Sequence, residues 1–270
     1  MQFSVPAQFL YPSMPRSGRQ DAFSTTCKQL QCCGISGVEL SAADLERNTV
    51  RSILQSLQSA SLFVSGYCAV LPFPETESRQ PYSVLAAALS EIRNAAALNC
   101  PNILFHFVPA GGSFPLPRHS METLVPVLQQ VSAAAIEQGL VPMIENEPNS
   151  FLPMGREQEI RRILNEVEGL RLSFNVGNAL LMNEEPVLFY DHLSEKVSYI
   201  RLRDVCYLPN GSLAACRIGD GDVDFRTLFN HLQKTGYTGS LSLLLLRELT
   251  PSQNVAYLSD TLLLLAKLLP

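Results

Sequence analysis

The run VSYIRLRDV, residues 197–205, holds the densest chemistry in the chain, because Arg201, Arg203 and Asp204 stand together at the end of an alternating apolar and polar segment. Side chains alternate along a strand, so Arg201 and Arg203 point the same way. Planar guanidinium groups hold carboxylates or phosphates through paired hydrogen bonds, and such a pair suits an anionic or polyhydroxylated small ligand. Arg217, just ahead of the turn residues Gly219, Asp220 and Gly221, adds further positive charge. Other reactive groups close short apolar runs in the same fashion: Glu39 in GVEL, Glu145 in VPMIE and Asn175 in LSFN. His106 sits among Leu104, Phe105 and Phe107. An unperturbed imidazole titrates near neutrality, so His106 reads either as a general acid or base or as a packing residue. His119, His192 and His231 fall in loop or helix contexts and read as surface residues, while Asp220 and Asp222 read as turn and helix-capping residues. No His and Asp pattern accompanies the cysteines, which leaves a thiol nucleophile unsupported.

The elements that must position these groups alternate along the chain. β-like runs occur at residues 2–6, 37–40, 62–68, 102–107, 140–146, 170–175, 197–203 and 240–246. Helical spacing occurs at 21–33, 45–59, 82–98, 121–138, 157–166, 186–193, 222–236 and 254–269. The last strand, SLSLLLL, is almost wholly apolar, as expected where both faces of a parallel sheet are covered. About eight β/α units with short connections is the count for a closed barrel, a single α/β domain over residues 1–270. An open doubly wound sheet is the rival, but no glycine-rich phosphate fingerprint follows the first strand.

Composition sets the outer limits. The chain has 270 residues, 46% of them hydrophobic, enough for a large core. Its longest apolar run, near residues 262–269, is interrupted by Lys267 and too short to span a bilayer. The opening MQFSVPAQFLYPSMPRSG lacks a basic region followed by an apolar block, so no signal peptide is expected. Seven cysteines without metal-type spacing fit reduced thiols and a cytoplasmic protein. A formal net charge of −5 argues against a nucleic-acid backbone as the main ligand.

GVEL at the second strand, IEN at the fifth, FNVGNALL at the sixth, YIRLRD at the seventh and IGDGDVDFRTLFNHLQKTGYTGSLSL at the eighth unit together resemble the sugar phosphate isomerase/epimerase family. These are xylose isomerase-like TIM barrels, a group that also includes the AP endonuclease family 2 proteins. The resemblance covers nearly the whole chain in order. It implies a divalent metal at the carboxyl end of the barrel, held by Glu, Asp, His and Glu on strands five to eight. Glu145 stands at the first position, but Asn175 replaces the Asp, Arg201 the His and Leu244 the last Glu. Asp204 matches the acid that follows the family's His. A guanidinium cannot ligate a cation and repels it, so no metal ligand set and no cofactor is expected.

By the resemblance, Arg201 and Arg203 point toward the barrel mouth and Glu145 projects into the same space. Glu145 and His106 are then the catalytic candidates, and Glu39, Asn175, Arg201, Arg203, Asp204 and Arg217 the substrate contacts. The expected ligand is a small sugar or sugar-derived anion. An ion pair between Arg201 and Glu145 that merely plugs the old metal position is the competing reading. Three functions stay open: an isomerase- or epimerase-like enzyme with an altered site, an inactive paralogue that binds a ligand or serves as a partner subunit, and an AP-endonuclease-like repair enzyme. The third needs a zinc-ligating cluster that four histidines, with only His106 well placed, do not supply. Neither a membrane nor nucleic acid is expected as a partner, and a homo-oligomer is left open.

Overall fold

A computed structural model describes residues 1–7, 19–74, 80–111, 118–149, 151–246 and 251–269. Eight parallel strands close on themselves: β1 (Gln2–Pro6), β2 (Gly37–Ser41), β3 (Phe63–Phe73), β4 (Asn102–Pro109), β5 (Val141–Glu145), β6 (Arg171–Asn175), β7 (Val197–Leu202) and β10 (Ser240–Leu243). The last of them pairs with both β7 and β1, which shuts the barrel. A two-stranded antiparallel ribbon, β8 (Asp204–Tyr207) and β9 (Leu213–Cys216), is inserted after β7. The chain is a (β/α)8 barrel, as its alternation of elements predicts.

Helices surround the sheet: α1 (Arg19–Cys32), α2 (Ala42–Leu45), α3 (Val50–Ser59), α4 (Gln80–Ala97), α5 (Met121–Glu137), α6 (Glu157–Glu166), α7 (Val176–Leu181), α8 (Pro186–Leu193), α9 (Phe225–Lys234) and α10 (Pro251–Leu268). Their apolar stripes supply the main core. Ile53 and Leu57 on α3, Leu124, Leu128 and Val131 on α5, and Leu228 and Leu232 on α9 are all buried against outward-facing strand residues such as Ala69, Leu71, Phe105 and Ile200. Inside the barrel is a second, separate cluster of Leu104, Met143 and Tyr199. The Tyr199 hydroxyl is hydrogen-bonded to Ser4 Oγ at 3.0 Å and Ser65 Oγ at 2.9 Å, so it bridges the barrel interior.

Three differences from the sequence reading have physical causes. The helical run expected at 45–59 is broken, because Thr49 adopts an extended backbone and its side chain caps Ser52 N. The polar stretch after β7 is a hairpin, closed by Leu208 N to Ser212 O at 2.8 Å with Gly211 at φ +81. Asp224, not Asp222, caps α9, through Thr227 N, while Asp222 accepts from Tyr207 N at 3.0 Å. Within the opening stretch, residues 8–18 lie outside the described residues. Among the described residues no helix is long and apolar enough to cross a membrane.

Candidate functional site

The carboxyl ends of the strands gather Glu39, Glu145, Asn175 and Arg201 into one hydrogen-bonded cluster. Each ends or nearly ends its strand with the side chain turned to the axis. Arg201, 9% exposed, reaches in two directions. Its Nη1 donates to Glu145 Oε2 at 2.6 Å, and its Nη2 donates to Glu39 Oε1. The first contact crosses the width of β6, the second crosses β10 and β1. Glu145 uses its other oxygen as well, accepting from Asn175 Nδ2 at 2.7 Å and Asn178 Nδ2 at 3.0 Å. Among the described residues, the second oxygen of Glu39 has only Ser242 Oγ, at 3.5 Å. Burial works against the charge on Arg201, but Glu39 and Glu145 outweigh it and hold the guanidinium firmly protonated. Its Nε is buried with no partner among the described residues.

Further amides fix these groups. Asn175 caps α7, accepting from Asn178 N at 3.2 Å. Asn146 clamps the Asn175 backbone from both sides, through Asn175 N at 2.7 Å and Asn175 O at 3.0 Å. Arg203 joins the network indirectly, donating Nη1 to Asn178 Oδ1 at 3.0 Å. Its approach depends on Gly177, where a Cβ would come within 2.8 Å of Arg203 O. Asn178 and Asn146 escaped the sequence reading, although FNVGN places Asn178 three residues after a capping Asn175, one helical turn away.

His106 lies on the same rim. Its Nδ1 is 3.1 Å from Glu147 Oε2, and both side chains are partly exposed, at 31% and 25%. The Glu147 hydrogen bond raises the His106 pKa against the opposing effect of burial. Alternate residues of β3 mark the opening: Ala69 and Leu71 face the helices at 0% exposure, whereas Val70, opposite His106, is 49% exposed. Between this opening and the cluster is Cys68, whose thiol burial pushes up to about 12, with Arg201 opposing and Glu39 and Glu145 adding to the shift. A thiol so protonated is a poor nucleophile at neutral pH.

The structure gives Asp204 and Arg217 other surroundings. Asp204 is buried and accepts backbone N–H groups from Val205 at 2.9 Å, Gly219 at 2.8 Å, Gly221 at 3.0 Å and Val223 at 3.2 Å. Its carboxylate is consumed in shaping the loop before α9. Arg217 is exposed and stacks over the Tyr257 ring, 5.5 Å from its centroid. His119, expected at the surface, is instead buried with its ring 5.0 Å from that of Phe73. His192 and His231 are partly exposed and paired with Glu157 and Asp191.

A cavity of about 390 Å³ lies far from this cluster, lined by Tyr190, Ser198, Thr235 and Tyr237. Its hydroxyls already serve one another and the backbone, Tyr190 to Thr235 at 2.6 Å and Tyr237 to Ser240 O at 2.9 Å.

The family model for the xylose isomerase-like TIM barrel matches residues 27–260. The chain belongs to that family. It is similar to an inosose dehydratase of Clostridium perfringens, 21% identical over 262 residues, which covers 88% of this chain and 86% of the relative. Among solved structures, an L-ribulose 3-epimerase superposes with a TM-score of 0.79 at 15% identity, covering 100% of this chain and 95% of that one. A D-allulose 3-epimerase from Methylomonas sp. gives 0.77 at 15% identity, covering 100% and 98%. At such identities the structural likeness establishes the fold alone.

Proposed function

We propose that this barrel binds a small sugar or sugar-derived ligand at its carboxyl-end mouth without a divalent metal, and that isomerase-type chemistry through the central carboxylates is closed off. The observation that carries this reading is the placement of Arg201 between Glu39 and Glu145. A cation site needs carboxylate oxygens converging on open space. Here both carboxylates converge on a fixed guanidinium, Asn175 turns its amide nitrogen toward Glu145, and Leu244 offers no oxygen. The residues present do not fit a divalent ion.

The same pairing limits proton transfer. Both Glu145 oxygens are taken up by the Arg201 guanidinium and two amides, so Glu145 acts as an anchor. His106, oriented by Glu147 through Nδ1, leaves Nε2 as the one imidazole nitrogen available to a ligand hydroxyl. Arg203 spends one N–H on Asn178 and is the cation left for an anionic substituent, a sugar acid or sugar phosphate. The inosose dehydratase and the sugar epimerases to which the chain is similar support a polyhydroxylated ligand class. A metal-free enzyme that uses His106 as acid or base is the second reading, favoured by the His106 and Glu147 pair.

The test joins elemental analysis to a thermal-shift screen of polyols, sugar acids and sugar phosphates. Metal below about one tenth per chain, with stabilisation by a sugar ligand that Arg203→Met abolishes, is expected. Stoichiometric metal that Glu145→Gln removes would overturn the metal-free reading. A screen that moves the melting temperature for no sugar would overturn the ligand reading. Turnover of a ligand that His106→Gln stops would establish the second reading.

A further inference from the structure

Away from the central cluster, the β8 and β9 ribbon carries a pair of groups that the proposed function leaves unused. The register places Asp204 opposite Cys216 and Cys206 opposite Ala214. Side chains two apart share a face, so Cys206 and Cys216 lie on one face as diagonal neighbours. Cys206 is nearer the turn on the first strand, Cys216 farther from it on the second. The right-handed twist of a two-stranded ribbon shortens this diagonal, while lengthening the other. Both thiols are free and half-buried, and Cys206 is near enough to help push the Cys216 thiol up. The other cysteines are differently placed: Cys27 and Cys100 are buried, and Cys33 packs against α10 with its sulfur 3.2 Å from Ser259 Oγ.

We propose that Cys206 and Cys216 are a reversible dithiol and disulfide pair, oxidised by a hydroperoxide. The Cys206 sulfur attacks the peroxide, the O–O bond breaks, water or an alcohol leaves, and Cys206 becomes a sulfenic acid. The Cys216 thiol, a poor nucleophile by itself but held beside the new sulfenic acid, then attacks Cys206, the S–O bond breaks, and water leaves with the Cys216 proton. The sulfurs lose two electrons and the peroxide gains them. The order follows from the surroundings: burial and the Asp204 carboxylate push the Cys216 thiol up to about 12, so it is unsuited to attack first. The bond would lock the ribbon at its base, beside Asp204, which holds the 219–223 loop.

The experiment uses the full chain and stoichiometric hydrogen peroxide, followed by alkylation, trypsin digestion and mass spectrometry. Cleavage after Arg203 and Arg217 releases residues 204–217 as one peptide with both cysteines. The expected result is that this peptide loses both alkylation sites together, becomes lighter by two hydrogens, and recovers both on reduction, while free thiols fall from seven to five. In Cys216→Ser, dimedone should trap a sulfenic acid on Cys206. A peptide that keeps both alkylation sites while Cys32, Cys33 or Cys68 is oxidised would overturn the proposal. So would a Cys216→Ser protein in which Cys206 resists oxidation.

Discussion

Replacing Arg201 by methionine isolates the electrostatic role of the buried cluster, because the change removes a charge and leaves a side chain of comparable length. The guanidinium supplies the principal hydrogen bond of Glu39 and one of three donors to Glu145. Removing one partner of a buried ion pair leaves an uncompensated charge, at about 3–5 kcal/mol. Here two carboxylates are left facing each other across the axis, so the upper part of that range applies. At about 2–4 °C per kcal/mol for a chain of this size, the melting temperature should fall by roughly 10–20 °C. Methionine fills most of the vacated volume, so little of the loss should come from a cavity.

The controls decide between charge and packing. If the penalty is electrostatic, adding Glu39→Gln and Glu145→Gln to Arg201→Met should recover most of it, since well-packed neutral replacements of a buried ionic group are often neutral or stabilising. Urea denaturation with a common slope for all variants gives the free energies. A fall below about 1 kcal/mol for Arg201→Met, within the range of exposed ion pairs, would refute the buried-cluster reasoning. So would a triple variant no more stable than the single one.

Further expectations follow from the neighbouring contacts. His106 should titrate above its ordinary 6.5 because Glu147 stabilises its charged form. A raised folded pKa contributes stability fully present below the unfolded value and lost as pH rises through the folded one; imidazole proton NMR should show Glu147→Gln lowering the pKa and removing this pH dependence. Tyr199→Phe orphans the buried hydroxyls of Ser4 and Ser65 and should lose about 1–3 kcal/mol, whereas a loss near zero would mean those serines find other partners. Asp204→Asn should speed amide exchange at Gly219, Gly221 and Val223 by at least tenfold while leaving the barrel strands unchanged, and uniform exchange would refute its local role.

The barrel was legible because short β-like runs alternate with helical ones about eight times along the chain. One boundary differs: the strand expected at residues 62–68 runs on to Phe73, paired with β4 as far as Pro109. The hairpin had a readable signal in Pro209, Asn210 and Gly211, outweighed by the surrounding polarity. Within the site, residue types pointed to Glu145 and Arg201 together. Glu39 was expected at the mouth as a substrate contact; what no spacing could reveal was its ion pair with Arg201, 162 residues away, which forms only after the barrel closes.

Closure also explains why the departures from the family's ligand set form a consistent group. The resemblance places a divalent cation among carboxylates at this mouth, and removing the ion alone would leave several negative charges in a poorly hydrated space. Asn175 in place of an acid and Leu244 in place of another each withdraw one negative charge. Arg201 in place of a neutral imidazole adds one positive charge. What remains is two carboxylates against one guanidinium, a residue of one negative charge. Asn175 and Asn178 donate to Glu145, and Asn178 in turn accepts from Arg203, so that charge is shared toward a second cation. On the proposed metal-free reading, the chain supplies from its own side chains the neutralisation that the family resemblance assigns to a metal, and the opening at Val70 and His106 is left for a ligand.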